Sequence, residues 1–396
     1  MISVEEASQI ITAHQIDWGT ETIPLPLANR RILAEAITAD RDFPPFHRVT
    51  MDGIAVSIDT PITEGLFRIE GTQYAGESPK TITSRGSALE VMTGAVLPSN
   101  TNTVIRYEDL TFSEYGDKRF AALNTNVNPQ QNVHHQGSDR RAGEVLLQAG
   151  IRLGSSEIGI LASVGKSQVL VQKKPRVAII STGDELVDIQ VTPLPHQIRK
   201  SSGYQLAAAL QEMGFASELF HLPDHPESLE KKLTELIQNF EILILTGGVS
   251  AGKKDFVPAT LEKLGIQKQF HKVAQRPGKP VWFGVRAGQN AVFALPGNPV
   301  STFACFLKYV RPYLLQGTLA PMKAVLSEKI VFKPELTYFL TVAASFNEEG
   351  RLMATPLKGS GSGDFANLLA CTGFLELPAD RSEFEAGEVF SYLSFR

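Results

Sequence analysis

The sequence predicts a multidomain α/β protein with a doubly wound parallel-sheet domain, a β-rich domain inserted upstream of it, and a small closed or sandwiched β-domain at the C-terminal end. Three patterns predict it. Beyond residue 176, buried-type strands alternate with helical patterns, and that alternation builds a parallel sheet covered by helices on both faces. Two helical stretches of similar type, near residues 3–14 and 154–164, flank a block punctuated by Gly, Pro, Asn and Ser, which marks the block as an insertion. After Pro321 short strands and turns return without helices.

Each element has a local reason. Val4, Ala7, Ile10 and Ile11 recur at helical spacing, with Ser3 as N-cap and Glu6 as its capping-box partner. Short apolar segments at 67–69, 87–92 and 103–106 read as strands of the inserted block, and a second helix begins after Ser155 and Ser156. Beyond Lys173-Lys174-Pro175, strands at 177–180 and 242–245 alternate with helices at 205–213, 229–238 and 257–264. Strands at 281–285 and 292–295 then precede a helix over 299–315, and strands at 325–332, 338–343, 374–377 and 390–395 complete the chain.

With 396 residues, at roughly 150 per domain, two to four domains are expected. Hydrophobic residues at 43% and charged residues at 20% exclude a chain-wide disordered or collagen-like protein. Lys plus Arg number 38 against 42 Asp plus Glu, so no broad basic field exists to hold a nucleic acid, and any anion must be met locally. Cys305 and Cys371 lack pairing or zinc-like spacing and read as two buried apolar residues in a reducing compartment. The acidic N-terminal stretch is no signal peptide, and no apolar run approaches the roughly 18 residues of a membrane span, so a cytoplasmic protein without membrane attachment is expected.

Three strands of the parallel-sheet segment end in small or glycine-rich turns: STGDEL (181–186), TGGVSAG (246–252) and LPGNPVS (295–301). Ligands of open α/β sheets sit at the carboxyl ends of strands, where glycines let the backbone approach and helix N-termini offer N–H groups to anions. These turns predict an anion pocket. Asn298 suits an N-cap and Pro299 the first helical turn. Asp184 and Glu185 supply carboxylates of the kind that hold a magnesium ion against phosphates, with Glu185 the preferred ligand. Arg276-Pro277-Gly278-Lys279-Pro280 sets two cations on a proline-stiffened stretch, a clamp for an oxyanion. In FPPFHRVTMDGIAV (43–56), Asp52-Gly53 reads on local physics as a hairpin turn, and Met92-Thr93-Gly94-Ala95 as a strand end.

Taken in order, FPPF and MDGIAV, MTGAVLP, QGSD, STGDEL, SSGYQLAAAL, TGGVSAGKKDF, RPGKP, LPGNPVS and GSGSGDF resemble the molybdopterin molybdenumtransferase family, which is similar to the C-terminal part of gephyrin. The resemblance runs from the first helix to the last strands. It implies magnesium-dependent transfer of molybdate onto the dithiolene of adenylylated molybdopterin, with release of AMP. It implies a homodimer of four-domain subunits: a discontinuous helix-containing domain (1–25 and 135–172), the inserted β-rich domain (26–134), the α/β molybdopterin-binding domain (173–318) and a C-terminal barrel-like domain (319–396). The pocket would lie between the parallel-sheet domain of one subunit and the β-rich domain of the other. A molybdopterin adenylyltransferase and molybdoenzyme maturation proteins are the implied partners.

By the same resemblance Asp52, Thr93, Glu185, Asp255, Arg276 and Lys279 fall at positions associated with activity, with Glu185 and Asp255 as magnesium ligands. Thr182, Gly183, Asp184, Ser202, Gly247, Gly248, Ser250, Gly252, Pro296, Gly297, Asn298, Pro299 and Ser301 would form the nucleotide and pterin cradle. The chain departs from the family pattern at Ile54, His134-His135, Lys200, Lys253-Lys254 and Arg276. Two other readings stand beside this one. Ser250, Asp255 and His271 follow in the order of a serine hydrolase, although Asp255 lies too near Ser250 in sequence. A binding scaffold without turnover is the second, prompted by the charges of Lys200 and Lys253.

Overall fold

The structure is a computed structural model, and it describes residues 1–223, 225–249, 256–358 and 364–396. The chain divides into two compact units, residues 22–171 and residues 1–21 with 172–396.

The first unit is built on a six-stranded mixed sheet of β1 (Gly53–Val56), β2 (Leu66–Gln73), β3 (Ser87–Val91), β4 (Thr103–Arg106), β5 (Leu110–Tyr115) and β6 (Lys118–Leu123), in the order β4-β1-β3-β2-β6-β5. β1 is an inner strand, antiparallel to both neighbours, and its four residues are all buried. Asp52-Gly53 is therefore no hairpin tip: sheet pairing on both sides overrides the turn preference of the dipeptide. Ile54 is wholly buried and packs with Val56, Phe67 and Ile105. A second core in this unit gathers around α2 (Ser155–Ser163), whose Glu157 carboxylate accepts the Gly154 N–H at 2.8 Å.

In the other unit α1 (Val4–Ala13) carries the expected capping box: the Ser3 N–H donates to Glu6 Oε2 at 2.7 Å, and the Glu6 N–H donates to Ser3 Oγ at 3.0 Å. The α/β sheet comprises β7 (Val177–Thr182), β8 (Ser217–Leu222), β9 (Ile242–Thr246), β10 (Gln267–His271), β11 (Trp282–Arg286) and β12 (Asn290–Leu295), in the order β8-β7-β9-β12-β11-β10. Strands β8, β7, β9 and β12 are parallel. The sheet continues into antiparallel β11 and β10, because the three residues between β11 and β12 close a hairpin and are far too few for a crossover.

Alternate residues of the parallel strands enter opposite cores, as a sheet buried on both faces requires. Ile179, Ile244 and Phe293 pack with α1, α3 (Ser201–Glu212) and α6 (Pro299–Cys305), whereas Ile180, Leu245 and Val292 pack with α4 (Pro226–Asn239) and α5 (Val257–Lys263). The expected 299–315 helix runs as α6, a π segment (Phe306–Val310) and α7 (Arg311–Leu315). Pro312 has no N–H to give to the Lys308 carbonyl, which accounts for the local widening.

The C-terminal strands β13 (Lys323–Leu326), β14 (Thr337–Phe346), β15 (Leu352–Pro356), β16 (Gly373–Leu377) and β17 (Val389–Ser394) pair in the ring β14-β15-β13-β17-β16-β14. The pairings close a five-stranded barrel and leave open, on the β15 side of β14, only the stretch before Val342. The segment Gln275–Arg276 adds to it in parallel, Gln275 opposite Thr337 and Arg276 opposite Tyr338, and so stitches the RPGKP loop to the barrel.

Candidate active site

Strand register brings three of the singled-out turns to one edge. Ser181 lies opposite Thr246, and Thr246 opposite Leu295, so the turns after β7, β9 and β12 leave the sheet side by side. They touch. The Thr182 hydroxyl donates to the Thr246 carbonyl at 3.4 Å, and a Cβ on Gly247 would meet the Thr182 carbonyl oxygen at 2.8 Å. A Cβ on Gly297 would stand 3.6 Å from Gly247 Cα. Gly247 also has φ +92°, a backbone state that costs an L side chain about 1–2 kcal/mol, so glycine is required there twice over.

The first turn of α3 reaches the same edge: a Cβ on Gly203 would be 3.3 Å from Ser181 Oγ, with Ser202 just ahead of it. The N-termini of α3 and α6 thus point their unpaired N–H groups to the side where the glycine turns lie, an arrangement suited to anions. Asn298 occupies the N-cap of α6 as expected but makes no capping bond with its side chain; Thr302 instead donates its N–H to the Asn298 carbonyl at 2.9 Å. Thr182, Ser301 and Pro296 are buried and shape the cradle from beneath, while Gly297 and Asn298 are exposed and Pro299 is half-buried.

Asp184 and Glu185 are exposed at the end of β7, and the Glu185 carboxylate folds back over Gly183. Two histidines brace these turns: His221 Nε2 lies 3.0 Å from the Gly183 carbonyl oxygen, and His271 Nε2 3.1 Å from that of Val249. Lys200 pairs with Asp188 at 2.6 Å and holds that carboxyl below the usual carboxylate range. Its charge is spent on a neighbouring acid. Ser250, Gly252 and Asp255, together with Lys253-Lys254, lie outside the described residues.

The RPGKP loop seats on α6. Gly278 has φ +92° and approaches Cys305 so closely that a Cβ would lie 2.8 Å from Gln275 Nε2 and nearer still to Cys305 Sγ. Both Arg276 and Lys279 are exposed. The Arg276 guanidinium lies 5.9 Å over the ring of Phe332, towards the barrel. Lys279 and the glycine turns are thus linked through α6, whereas Arg276 is engaged by an aromatic face.

Asp52 and Thr93, 41 residues apart, meet at the mouths of β1 and β3 in the first unit: the Thr93 N–H donates to Asp52 Oδ1 at 2.6 Å and the Thr93 hydroxyl to the same oxygen at 2.8 Å. These two bonds, the backbone one foremost, hold the exposed Asp52 carboxyl below its ordinary range. His134 stands on a short strand opposite Arg48 rather than in the polar turn its sequence suggests: the Arg48 guanidinium donates to His134 Nδ1 at 3.0 Å, and His134 Nε2 lies 2.8 Å from Asp139 Oδ1. Among the described residues no group of three or more His, Cys, Asp or Glu side chains is placed to hold a metal. Nor is any helix there long and apolar enough to cross a membrane.

A doubly wound sheet whose glycine turns gather at the carboxyl edge defines the class of open α/β proteins, in which ligands sit at that edge. Sequence profiles sharpen that class: residues 2–165 match the MoeA N-terminal region (domain I and II), 178–316 a probable molybdopterin binding domain, and 323–395 the MoeA C-terminal region (domain IV). A molybdopterin molybdenumtransferase of Synechocystis sp. is 40% identical over 100% of both chains, and that of Bacillus subtilis is 33% identical over 100% of this chain and 94% of its own. The crystal structure of a molybdopterin biosynthesis moeA protein from Pyrococcus horikoshii OT3 superposes with a TM-score of 0.81 at 27% identity, covering 100% of each chain. The chain belongs to the molybdopterin molybdenumtransferase (MoeA) family.

Proposed function

We propose that the protein inserts molybdenum from molybdate into adenylylated molybdopterin and releases AMP. The observation that carries this reading is the meeting of the three strand-end turns at one edge, beside a cationic loop seated on α6. A transition state that gathers charge on phosphate and molybdate oxygens needs fixed donors and cations at those oxygens. In this reading the N–H groups around Gly247, Gly248 and Gly297 receive the phosphates, with Thr182, Gly183, Ser202 and Ser301 shaping the cradle. Lys279, joined by Arg276 if it swings from Phe332, holds the oxyanions.

Magnesium, a hard ion that prefers oxygen donors and keeps several waters, fits the exposed carboxylate of Glu185 beside the strand-end backbone. Glu185 and Asp255 would hold it, where it neutralises phosphate charge. Asp52 and Thr93 serve the site of the partner subunit in a homodimer, and the four domains divide the chain at 1–25 with 135–172, 26–134, 173–318 and 319–396. A cytoplasmic setting, supply of substrate by an adenylyltransferase and delivery of product to molybdoenzyme maturation proteins complete the reading.

His271 Nε2 engaged by a backbone carbonyl speaks against a Ser250 hydrolase. The test supplies purified protein with adenylylated molybdopterin, magnesium and molybdate. AMP and molybdenum cofactor forming together are the expected result; tight binding without AMP would replace the transferase with a scaffold.

A further inference from the structure

Gln275 precedes the RPGKP loop and is 1% exposed, so both ends of its amide must find partners inside the protein. Its Oε1 accepts the hydroxyl proton of Tyr309, from the π segment that follows α6. The carbonyls of Pro277 and Gly278 on its other side can only accept, and they settle which way the amide faces. Nε2 then donates to the carbonyls of Pro277 at 3.1 Å and Gly278 at 3.2 Å, and lies 3.3 Å from Cys305 Sγ. The next carbonyl, of Lys279, receives the N–H groups of Val273 at 2.9 Å and Val281 at 3.0 Å. Three successive loop carbonyls are thereby fixed, two of them by one buried side chain, and the cations at 276 and 279 project from that frame.

We infer that Gln275 is the positioning residue of the cationic loop: buried away from any ligand, it sets the Pro277 and Gly278 carbonyls and through them the place at which Lys279 presents its ammonium group. The inference rests on the transferase reading of Lys279. A Gln side chain here is needed for its two-ended amide, which neither a carboxylate nor an apolar chain of equal length supplies.

The test replaces the amide while keeping bulk, with Gln275→Met, and removes only the donor to Oε1 with Tyr309→Phe, a milder change that keeps the experiment informative should the first variant fold poorly. Hydrogen exchange in the peptide spanning 273–281 should quicken in both variants, with exchange in β7 and β9 unchanged. In Gln275→Met kcat/KM for adenylylated molybdopterin should fall about tenfold, through kcat as well as KM, and in Tyr309→Phe about threefold. By calorimetry, Gln275→Met should add nothing to the binding loss already caused by Lys279→Ala, because both remove the same interaction. Unchanged loop exchange, or fully additive losses of binding, would overturn the proposal. Absence of AMP release from the parent protein would count against the transferase reading alone, since loop exchange is read without substrate.

Discussion

Replacing Gly53 by alanine probes the device that sets Asp52 beside Thr93. A Cβ at Gly53 would lie 2.7 Å from the Ile105 carbonyl carbon and 2.9 Å from Arg106 Cα, and closer again to the Ile105 oxygen. Carbon atoms in contact sit at about 3.5–4.0 Å, so β4 must retreat by roughly 1 Å. That movement loosens the pairing of Gly53 with Arg106 and of Ile54 with Ile105. Two weakened ladder bonds cost about 1 kcal/mol each, and forced repacking adds about 1–3 kcal/mol. The alanine recovers about 0.4–1 kcal/mol by stiffening the unfolded chain. The net loss for the sheet of the 22–171 unit is about 2–4 kcal/mol, a fall of about 1–2 M in urea midpoint at a typical slope of about 2 kcal/mol/M. Hydrogen exchange at stepped urea, read in peptides covering 53–56 and 103–106, measures it. A loss below about 0.5 kcal/mol, the range of an ordinary surface substitution, would refute the steric argument.

The remaining predictions concern the same residues. Thr93→Val keeps the backbone bond to Asp52 and removes the hydroxyl bond, so the Asp52 titration moves up towards its ordinary range. Because the folded carboxyl is held low, its contribution to stability is present above the unfolded pKa and is lost as pH falls through the folded one; in the variant the contribution is smaller and its loss is complete at a higher pH. Carbon-detected NMR titration checks the shift, and an unmoved curve contradicts it. Asp52→Ala and Lys279→Ala proteins, each inactive, should regain activity when combined as heterodimers, since one site of the mixed dimer draws wild-type residues from both chains. A verified heterodimer without activity removes the shared site.

The central strands β7 and β9 were legible because they are uninterrupted apolar runs that end at small residues, whereas β8 (SELFHL) and β10 (QKQFH) carry polar residues and gave no such signal; the capping box at Ser3 and Glu6 is a purely local one. The gathering of the glycine turns at one edge was legible for the same reason: strand ends and glycines are adjacent in sequence. The pairing of Asp52 with Thr93 was not, because it depends on β1 lying beside β3, and local physics favoured a hairpin at Asp52-Gly53. Lys200 read as surplus charge near the pocket, since nothing in sequence says that Asp188 will take it up. Gln275 carried no signal at all. Its role comes from contacts with Tyr309 and Cys305, 34 and 30 residues away, which only the packing of α6 against the loop creates. The bracing roles of His221 and His271 carried no signal for a like reason, each contact being with a carbonyl 38 or 22 residues distant.

The most direct measurement is a crystal structure of the protein with adenylylated molybdopterin and molybdate, with molybdenum located by its anomalous scattering. The phosphates should rest among the turns bearing Gly183, Gly247 and Gly297, with the Lys279 ammonium within hydrogen-bonding distance of an oxyanion. Phosphates and molybdenum bound on another face of the α/β sheet, out of reach of Lys279, would contradict the account.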